Sequence, residues 1–364
     1  MCHASMGLLS CQMIVEGGGR VRRIGNWLWA GAVVVVGALA VFAFAMPTGQ
    51  YLITPGVTEN LDHIVHVSGG TKPSRGRILM VAVGVQPANW YQVVTARFHA
   101  ADELLPSGSL MPPGMSFNQY IQLSLLEMRQ SHADAQAAAF RALGMPVKTL
   151  PAQVYIAGIE ADGPSQGRLH VMDQLLSVDG TPVRSALGLV DQMRTIEPGA
   201  TVHLRVKRGA RTLDVAVTTR LSPLNDKSAF LGVELMQIEP YKFPRSVHID
   251  TSNIGGPSAG MMFSLAIIAQ TRPKATFPGS AVVAGTGEIT PTGQVEPIGG
   301  AGAKVLTAYR SGATVFLCPT ANYASAKRVK TALHLPIRIV PVQTLSQALS
   351  AVGYASSGAG SVAG

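Results

Sequence analysis

The longest uncharged part of the chain runs from Ile24 to Thr58 and constrains what the N-terminal region can fold into. Within it, residues 27–46 read WLWAGAVVVVGALAVFAFAM, close to the roughly 20 apolar residues that a helix needs to cross a bilayer core. Trp27 and Trp29 lie at one end of this run, as aromatic residues at a membrane interface do. The run therefore predicts a transmembrane helix over residues 27–46, in contact with membrane lipid.

The distribution of arginines around this run predicts its orientation. Arg20, Arg22 and Arg23 precede the run, and no comparable basic cluster follows it closely. Basic residues that flank a span tend to stay in the cytoplasm. We therefore expect residues 1–25 to form a cytoplasmic tail and the chain after about residue 47 to lie outside. The prediction is a single-pass protein of the cell membrane with extracytoplasmic C-terminal domains.

A cleaved signal peptide is the alternative interpretation of the same run. Residues 43–45 are Ala-Phe-Ala, which fits the A-x-A pattern of a cleavage site. The apolar run is longer than the usual core of about 7–15 residues in a signal peptide, so a retained anchor is favoured. Charged residues make up 13% of the chain, about half the usual share, which is consistent with a membrane segment.

Composition and motifs argue against several classes of function. The net charge is +9, but the basic residues are scattered and lack the aromatic-rich basic pattern of nucleic-acid-binding modules. The 3 cysteines form no disulfide framework, and with the 9 histidines they form no metal-binding motif. The phosphate-binding pattern GxxxxGK[ST] is not met. We therefore expect no nucleic acid, no nucleotide, no metal and no cofactor.

The region after the apolar run predicts strands followed by one long helix. Residues 47–150 are treated as an exported N-terminal region in which residues 76–85, GRILMVAVGV, predict a strand. Apolar residues at helical spacing predict a helix over about 117–143, and Gly144 is a natural stop.

Residues 151–222 predict a small β domain with one helix, over about residues 185–196. Residues 172–180, MDQLLSVDG, resemble the G-D-x-[IL]-x-x-[VI]-[ND]-G signature of PDZ domains. The positions that match are Asp173, Leu175, Val178, Asp179 and Gly180, whereas Met172 replaces the usual glycine. The resemblance implies binding of extended peptide ends by addition of a strand to a sheet edge. The alternative is a β domain that serves only as a spacer.

The segment NIGGPSAGMMFSLA places Ser258 directly before an apolar helix. A serine in this position is usually a helix N-cap. The nearby glycines, however, allow close approach of a substrate, and helix N-terminal amides stabilise developing negative charge. GPSAG also fits the G-x-S-x-G nucleophile elbow of α/β-hydrolases. That interpretation lacks a downstream aspartate, and the groups that could formally complete a triad are Glu288, Glu296 and His334.

A neutral lysine is another group that could activate Ser258. Burial lowers the pKa of a lysine, so the lysine with the most apolar surroundings is the best candidate. Lys274 lies in a loop-like segment, and Lys327 and Lys330 lie on a basic helix. Lys304 lies in PIGGAGAKVLTAYRSGA, on a predicted apolar helix that opens after glycines.

Three ordered motifs resemble the proteolytic domain of Lon proteases. They are GGPSAG, then AGTGEITPTGQVEPIGG, then a lysine four residues after the second glycine of the last pair. The resemblance implies Ser258 as the nucleophile and Lys304 as the general base, with Thr286 as the hydroxyl that orients the lysine. It also implies an oxyanion donor in the backbone from Gly256 to Ala259.

The predicted fold class is therefore an α+β multidomain protein. It has an N-terminal transmembrane helix, a PDZ-like β domain and a Lon-type α/β proteolytic domain over residues 228–352, followed by a flexible tail, 353–364. The order of these parts is similar to that of bacterial ATP-independent Lon-type proteins with a PDZ domain.

The function that this resemblance implies is that of a membrane-anchored serine endopeptidase with protein or peptide substrates. It would cut exposed or unfolded segments without ATP, with the PDZ-like domain positioning the substrate, and its activity would rise with pH as Lys304 loses its proton. Lon-type domains also imply a homo-oligomer. The alternatives are a catalytically silent scaffold that binds peptides and an α/β-hydrolase esterase.

Overall fold

The computed structural model describes residues 18–72, 76–111, 115–223, 227–252, 254–272 and 281–353. Most of the predicted N-terminal tail and, apart from Gly353, the predicted C-terminal tail lie outside these residues, as does Lys274.

The described residues form ten α-helices and a short 3-10 helix at Thr320–Asn322. The α-helices are α1 (Gly18–Ala45), α2 (Leu61–Ile64), α3 (Trp90–Ala96), α4 (Ser107–Leu110), α5 (Phe117–Ala142), α6 (Ala186–Arg194), α7 (Gly260–Thr271), α8 (Ala301–Arg310), α9 (Tyr323–Ala332) and α10 (Leu345–Ala351).

Twenty strands complete the secondary structure of the described residues. They are β1 (Pro47–Asn60), β2 (Val65–Val67), β3 (Arg77–Asn89), β4 (Glu103–Pro106), β5 (Lys148–Thr149), β6 (Gln153–Ile159), β7 (Gln174–Val178), β8 (Thr181–Pro182), β9 (Thr201–Arg208), β10 (Arg211–Thr218), β11 (Arg220–Leu221), β12 (Ala229–Phe230), β13 (Val233–Ile238), β14 (Tyr241–Lys242), β15 (Val247–Ile249), β16 (Val282–Gly285), β17 (Glu288–Ile289), β18 (Val295–Glu296), β19 (Val315–Pro319) and β20 (Arg338–Val342).

The predicted transmembrane helix is not supported. Among the residues that the structure describes, no helix combines the length and the apolar character that crossing a membrane requires. The prediction for residues 27–46 counted apolar residues along the sequence, but the last turn of α1 packs against α3. The Phe44 ring stacks on Tyr91 at 4.5 Å, and Asn89 Nδ2 donates to the Phe44 carbonyl at 3.1 Å.

Two predictions that depended on this span are wrong with it. The first is the fold class that began with a transmembrane helix, which is replaced by mixed α/β and PDZ units in the described residues. The second is the single-pass location with a cytoplasmic N-terminus and extracytoplasmic domains. The lipid contact predicted for residues 27–46 had the same basis.

The largest α/β unit is built from segments on both sides of the PDZ-like region. Its six-stranded sheet has the order β20-β19-β16-β3-β1-β4. The pairs from β20 to β3 are parallel, whereas β1 pairs antiparallel with both β3 and β4. Residues 47–106 therefore share one sheet with residues 282–342, and the predicted boundary between an N-terminal region and a Lon-type domain does not separate two folded units.

Helix α7 forms the centre of this unit. Its sequence, GMMFSLAIIAQT, is apolar on all sides, and every residue but the last is buried. A helix that is hydrophobic all round needs neighbours on every face. Helix α5, which opens with a capping box from Ser116 and Gln119, covers one face, and Phe140 of α5 and Phe263 of α7 are fully buried in the same apolar cluster.

The PDZ-like region is a second unit with its own core. Its sheet has the order β10-β9-β7-β6-β13, with β8 paired to β7. Asp173, fully buried, is held by Arg208 Nη2 at 2.7 Å. Met172 has a φ of 76°, which is the left-handed region that glycine adopts most easily. This explains why the PDZ signature has glycine where this chain has methionine.

A short stem joins the two units. Strand β5 pairs antiparallel with β14, and the Leu150 N–H donates to the Pro240 carbonyl at 2.9 Å. The two ends of the PDZ-like unit are therefore adjacent, so this unit is an insertion in the α/β unit.

This arrangement predicts which fragments fold. Replacing residues 151–239 by Asn-Gly should leave a cooperatively folding α/β unit, because two residues close an antiparallel pair such as β5–β14. Residues 228–353 alone should not fold, because they lack the strands β1, β3 and β4 and the helix that covers α7. Thermal unfolding followed by circular dichroism distinguishes the two, and a cooperative transition for the 228–353 fragment would contradict the account.

Candidate active site

Ser258 lies in the turn that precedes α7, but its side chain does not cap the helix. The N-cap residue is Ala259, and no side chain makes a capping hydrogen bond there. The Ser258 hydroxyl oxygen instead lies 2.7 Å from the Nζ of Lys304. The structure therefore brings together the two residues that the sequence predicted as nucleophile and base.

Lys304 reaches Ser258 from α8, in surroundings that disfavour its charge. The side chain is only 2% exposed, and burial lowers its pKa to about 7 from an ordinary value of about 10.4. The helix starts after Gly300, whose φ is 69°, and a Cβ there would lie 3.0 Å from Ile53 Cγ2. A glycine at this position lets α8 approach β1 closely enough for Lys304 to enter the core.

Thr286 follows β16 and connects the lysine to the backbone of Ser258. Its Oγ1 lies 3.0 Å from Lys304 Nζ and donates to the Ser258 carbonyl at 2.9 Å. A hydroxyl has a single proton, so the contact with Lys304 is one in which Thr286 accepts. A neutral Lys304 that donates one N–H to Thr286 can direct its lone pair at the hydroxyl proton of Ser258.

The backbone N–H groups of the predicted oxyanion segment, residues 256–259, differ in whether they already donate a hydrogen bond. The Gly256 N–H donates to the Ser124 carbonyl at 2.8 Å, so it is engaged within the fold. Within the described ranges, no acceptor is bonded to the N–H of Ser258 or of Ala259. Ala259, one of the two predicted residues, therefore offers a free amide at the start of α7, whereas Gly256 does not.

Helix α5 contributes to the site although the sequence did not predict a role for it. Besides the Ser124 carbonyl, it brings Glu127 to the cleft, whose pKa is raised to about 7 by burial and by the charge of Glu288. A Cβ at Gly255 would lie 2.8 Å from the Ser124 Cβ. Only a glycine at position 255 lets residues 255–259, called here the nucleophile turn, lie this close to α5. The pair Gly255 and Gly256 is the sequence signal for this contact.

The dyad opens onto a cleft of about 560 Å³. Strands β1 and β3 supply apolar side chains to its wall, among them Ile53, Val57, Val83 and Val85. An apolar cleft of this size can take several residues of an extended polypeptide chain.

The other candidates for activation of Ser258 are placed differently. Across the described part of the chain, Ser258 Oγ has no histidine or carboxylate partner, so Glu288, Glu296 and His334 do not complete a triad. Lys327 lies on α9, and its Nζ is 5.8 Å from the centre of the Tyr323 ring.

Part of each unit matches the model of a known protein family. Residues 233–353 match the model of the Lon protease (S16) C-terminal proteolytic domain, and residues 141–219 match that of the PDZ domain. The chain combines a PDZ domain with a Lon-type proteolytic domain. Ser258, Thr286 and Lys304 all lie in the Lon-type domain, whereas α5 and the strands β1 and β3 precede the residues that match its model.

Curated relatives are similar over the same region. Lon protease 1 of Myxococcus xanthus is 31% identical over 158 residues, which cover 43% of this chain and 19% of that protein. The Lon protease of Trichlorobacter lovleyi is 33% identical over 179 residues, which cover 46% and 22%. This chain thus spans about a fifth of the length of the curated relatives that it matches.

Solved structures of PDZ domains are similar to part of this chain. The crystal structure of the PDZ domain of an SdrC-like protein from Listeria monocytogenes is 21% identical, with a TM-score of 0.21. The match covers 23% of this chain and 86% of that structure.

The PDZ domain has an apolar groove that the sequence did not locate. A cavity of about 200 Å³ lies between α6, which supplies Leu189 and Val190, and the segment 229–235. Strand β13 is the last strand of the PDZ sheet, and Gly232 before it has a φ of 66°. The signal for this groove was the glycine within FLGV, residues 230–233, which lies beyond the predicted end of the PDZ-like domain at residue 222.

Proposed function

We propose that this chain is a serine endopeptidase that hydrolyses exposed or unfolded protein segments with a Ser258–Lys304 dyad. The observation that carries the proposal is the 2.7 Å contact between Ser258 Oγ and the buried Nζ of Lys304. The family match and the serine protease chemistry of a hydroxyl beside a neutral amine support the same conclusion.

Acylation begins with the neutral form of Lys304. Its lone pair takes the hydroxyl proton of Ser258 while Oγ forms a bond to the carbonyl carbon of the substrate. The carbonyl oxygen becomes an oxyanion, which the free N–H groups of Ala259 and Ser258 are placed to stabilise at the start of α7. The protonated Lys304 then gives its proton to the departing amine, and the peptide bond breaks.

Deacylation reverses these roles with water as the nucleophile. Lys304, neutral again, takes a proton from the water that attacks the ester carbon, and then returns that proton to Ser258 Oγ. Thr286 keeps the amine in place throughout, because it accepts from Lys304 and is itself anchored on the Ser258 carbonyl.

None of these steps consumes a nucleotide, so we propose that hydrolysis needs no ATP. The proposed substrates are segments that are already extended. The cleft next to the dyad is lined by apolar side chains of two strands, and an extended segment can lie along them. The homo-oligomer expected from the resemblance stays a prediction.

The PDZ domain is proposed to position substrates for the protease. Its groove places apolar side chains of α6 opposite the edge strand β13, which is the arrangement that an added peptide strand requires. Helix α5 of the α/β unit faces the PDZ domain, since Arg129 Nη2 lies 4.0 Å from Met172 Sδ.

The dyad is tested by cleavage of an unfolded protein substrate without nucleotide. Ser258→Ala and Lys304→Met should both reduce cleavage to background, because each removes one half of the proton transfer. Lys304→Arg should also be inactive, since a guanidinium keeps its proton at physiological pH. Lys327→Met, on the exposed side of α9, is the matched control and should cut at the wild-type rate. Wild-type rates for Ser258→Ala would contradict the proposal.

The PDZ groove is tested with two kinds of substrate. Val190→Glu puts a charge at the apolar groove, so KM for a protein with a flexible C-terminal tail should rise by about tenfold, as expected for a loss near 1.4 kcal/mol. The kcat for a short peptide should not change. Arg194→Glu, an exposed charge change on the same helix, should leave both unchanged. Equal KM values for wild type and Val190→Glu would show that the groove does not position substrate.

A further inference from the structure

Helix α5 holds the nucleophile turn at two points. The Ser124 carbonyl accepts from the Gly256 N–H at 2.8 Å, and the Ser131 hydroxyl donates to the Pro257 carbonyl at 3.0 Å. Ser124 and Ser131 lie about two turns apart, so they occupy the same face of the helix. Both are buried, and Ser131 is only 3% exposed.

The Pro257 carbonyl determines the orientation of the next amide. It accepts from Ser131 Oγ at 3.0 Å and from the Gly260 N–H at 3.2 Å. In a trans peptide the carbonyl and the following N–H point in opposite directions within one plane. The two donors on the Pro257 oxygen therefore fix the direction of the Ser258 N–H, which points away from Ser131 and is one of the two free amides.

The packing around Ser131 leaves little room for another arrangement. A Cβ at Gly260 would lie 2.9 Å from Ser131 Oγ and 2.8 Å from Ile289 Cγ2. The last glycine of GPSAG thus allows α7 to begin directly against Ser131.

We propose that Ser131 is a positioning residue of the protease. It acts through Pro257, because its hydroxyl fixes the peptide plane between Pro257 and Ser258. This plane sets the position of the Ser258 hydroxyl relative to Lys304 Nζ and the direction of the Ser258 N–H. The inference rests on the proposed dyad and adds to it a residue of α5, which precedes both the PDZ domain and the matched part of the Lon-type domain.

The test compares Ser131 of α5, which bonds to the turn before α7, with Ser264, a buried serine that joins α7 to α5. Ser131→Ala removes the donor to Pro257, and kcat should fall about 10- to 100-fold, as expected for a misplaced reacting group, with KM within about twofold. Ser264→Ala is the matched control, because Ser264 Oγ, also buried, has one proton to share between the carbonyls of Ala135 at 3.0 Å and Gly260 at 3.1 Å and forms no hydrogen bond with Pro257 in the described part of the chain. It should lose a similar amount of thermal stability and keep the wild-type kcat.

Two further readouts separate positioning from general loss of structure. The pH dependence of kcat in Ser131→Ala should keep a midpoint close to that of wild type, because the pKa of Lys304 is lowered by burial, which does not depend on the Ser131 hydroxyl. Ser131→Cys, which keeps a weaker donor, should give a kcat between those of wild type and Ser131→Ala.

The outcomes distinguish this proposal from the dyad itself. A wild-type kcat in Ser131→Ala, or an equal fall of kcat in Ser264→Ala, would overturn the role of Ser131 while Ser258→Ala stays inactive. Cleavage by Ser258→Ala at the wild-type rate would overturn the dyad, and the role of Ser131 with it.

Discussion

The burial of the Lys304 amine is the constraint on which the rest of the site depends. In the described ranges, no carboxylate lies within ion-pair distance of Nζ, and the polar atoms that contact Nζ there are the hydroxyl oxygens of Ser258 and Thr286. An ammonium in such surroundings is costly, and the group responds by losing its proton more easily. The apolar packing that stabilises the fold therefore also produces the base that the proposed chemistry needs.

The fold brings the parts of this site together from distant segments of the chain. The turn before α7 carries Ser258, the end of β16 carries Thr286, and α8 carries Lys304. Strands β1 and β3 line the cleft, and α5 holds the nucleophile turn. Because the PDZ domain is inserted between α5 and β15, its stem lies directly after the helix that contacts the nucleophile turn. A substrate bound in the PDZ groove would therefore be connected, through this stem, to the unit that carries the dyad.

The contact between Ser258 and Lys304 could be predicted from the sequence, because each residue lies in a short recognisable motif and Lys304 has apolar neighbours along the chain. The role of α5 could not be predicted, since the pairing of a helix with a turn far along the chain leaves no local pattern. The inserted position of the PDZ domain was missed for the same reason, because sheet order depends on distant pairing. The predicted transmembrane helix rested on the apolar composition of residues 27–46 alone, and among the described residues no helix has both the length and the apolar character that a membrane span requires.

The most direct test of this account is the titration of the Lys304 amine in the folded protein. The Cε resonance of Lys304, assigned by its loss in Lys304→Met and followed by NMR against pH in the Ser258→Ala variant and in wild type, reports the protonation of Nζ. The account predicts a midpoint near pH 7 in wild type, well below that of an exposed lysine at about 10.4. A lysine that stays protonated above pH 9 would contradict it, because no neutral base would then face Ser258.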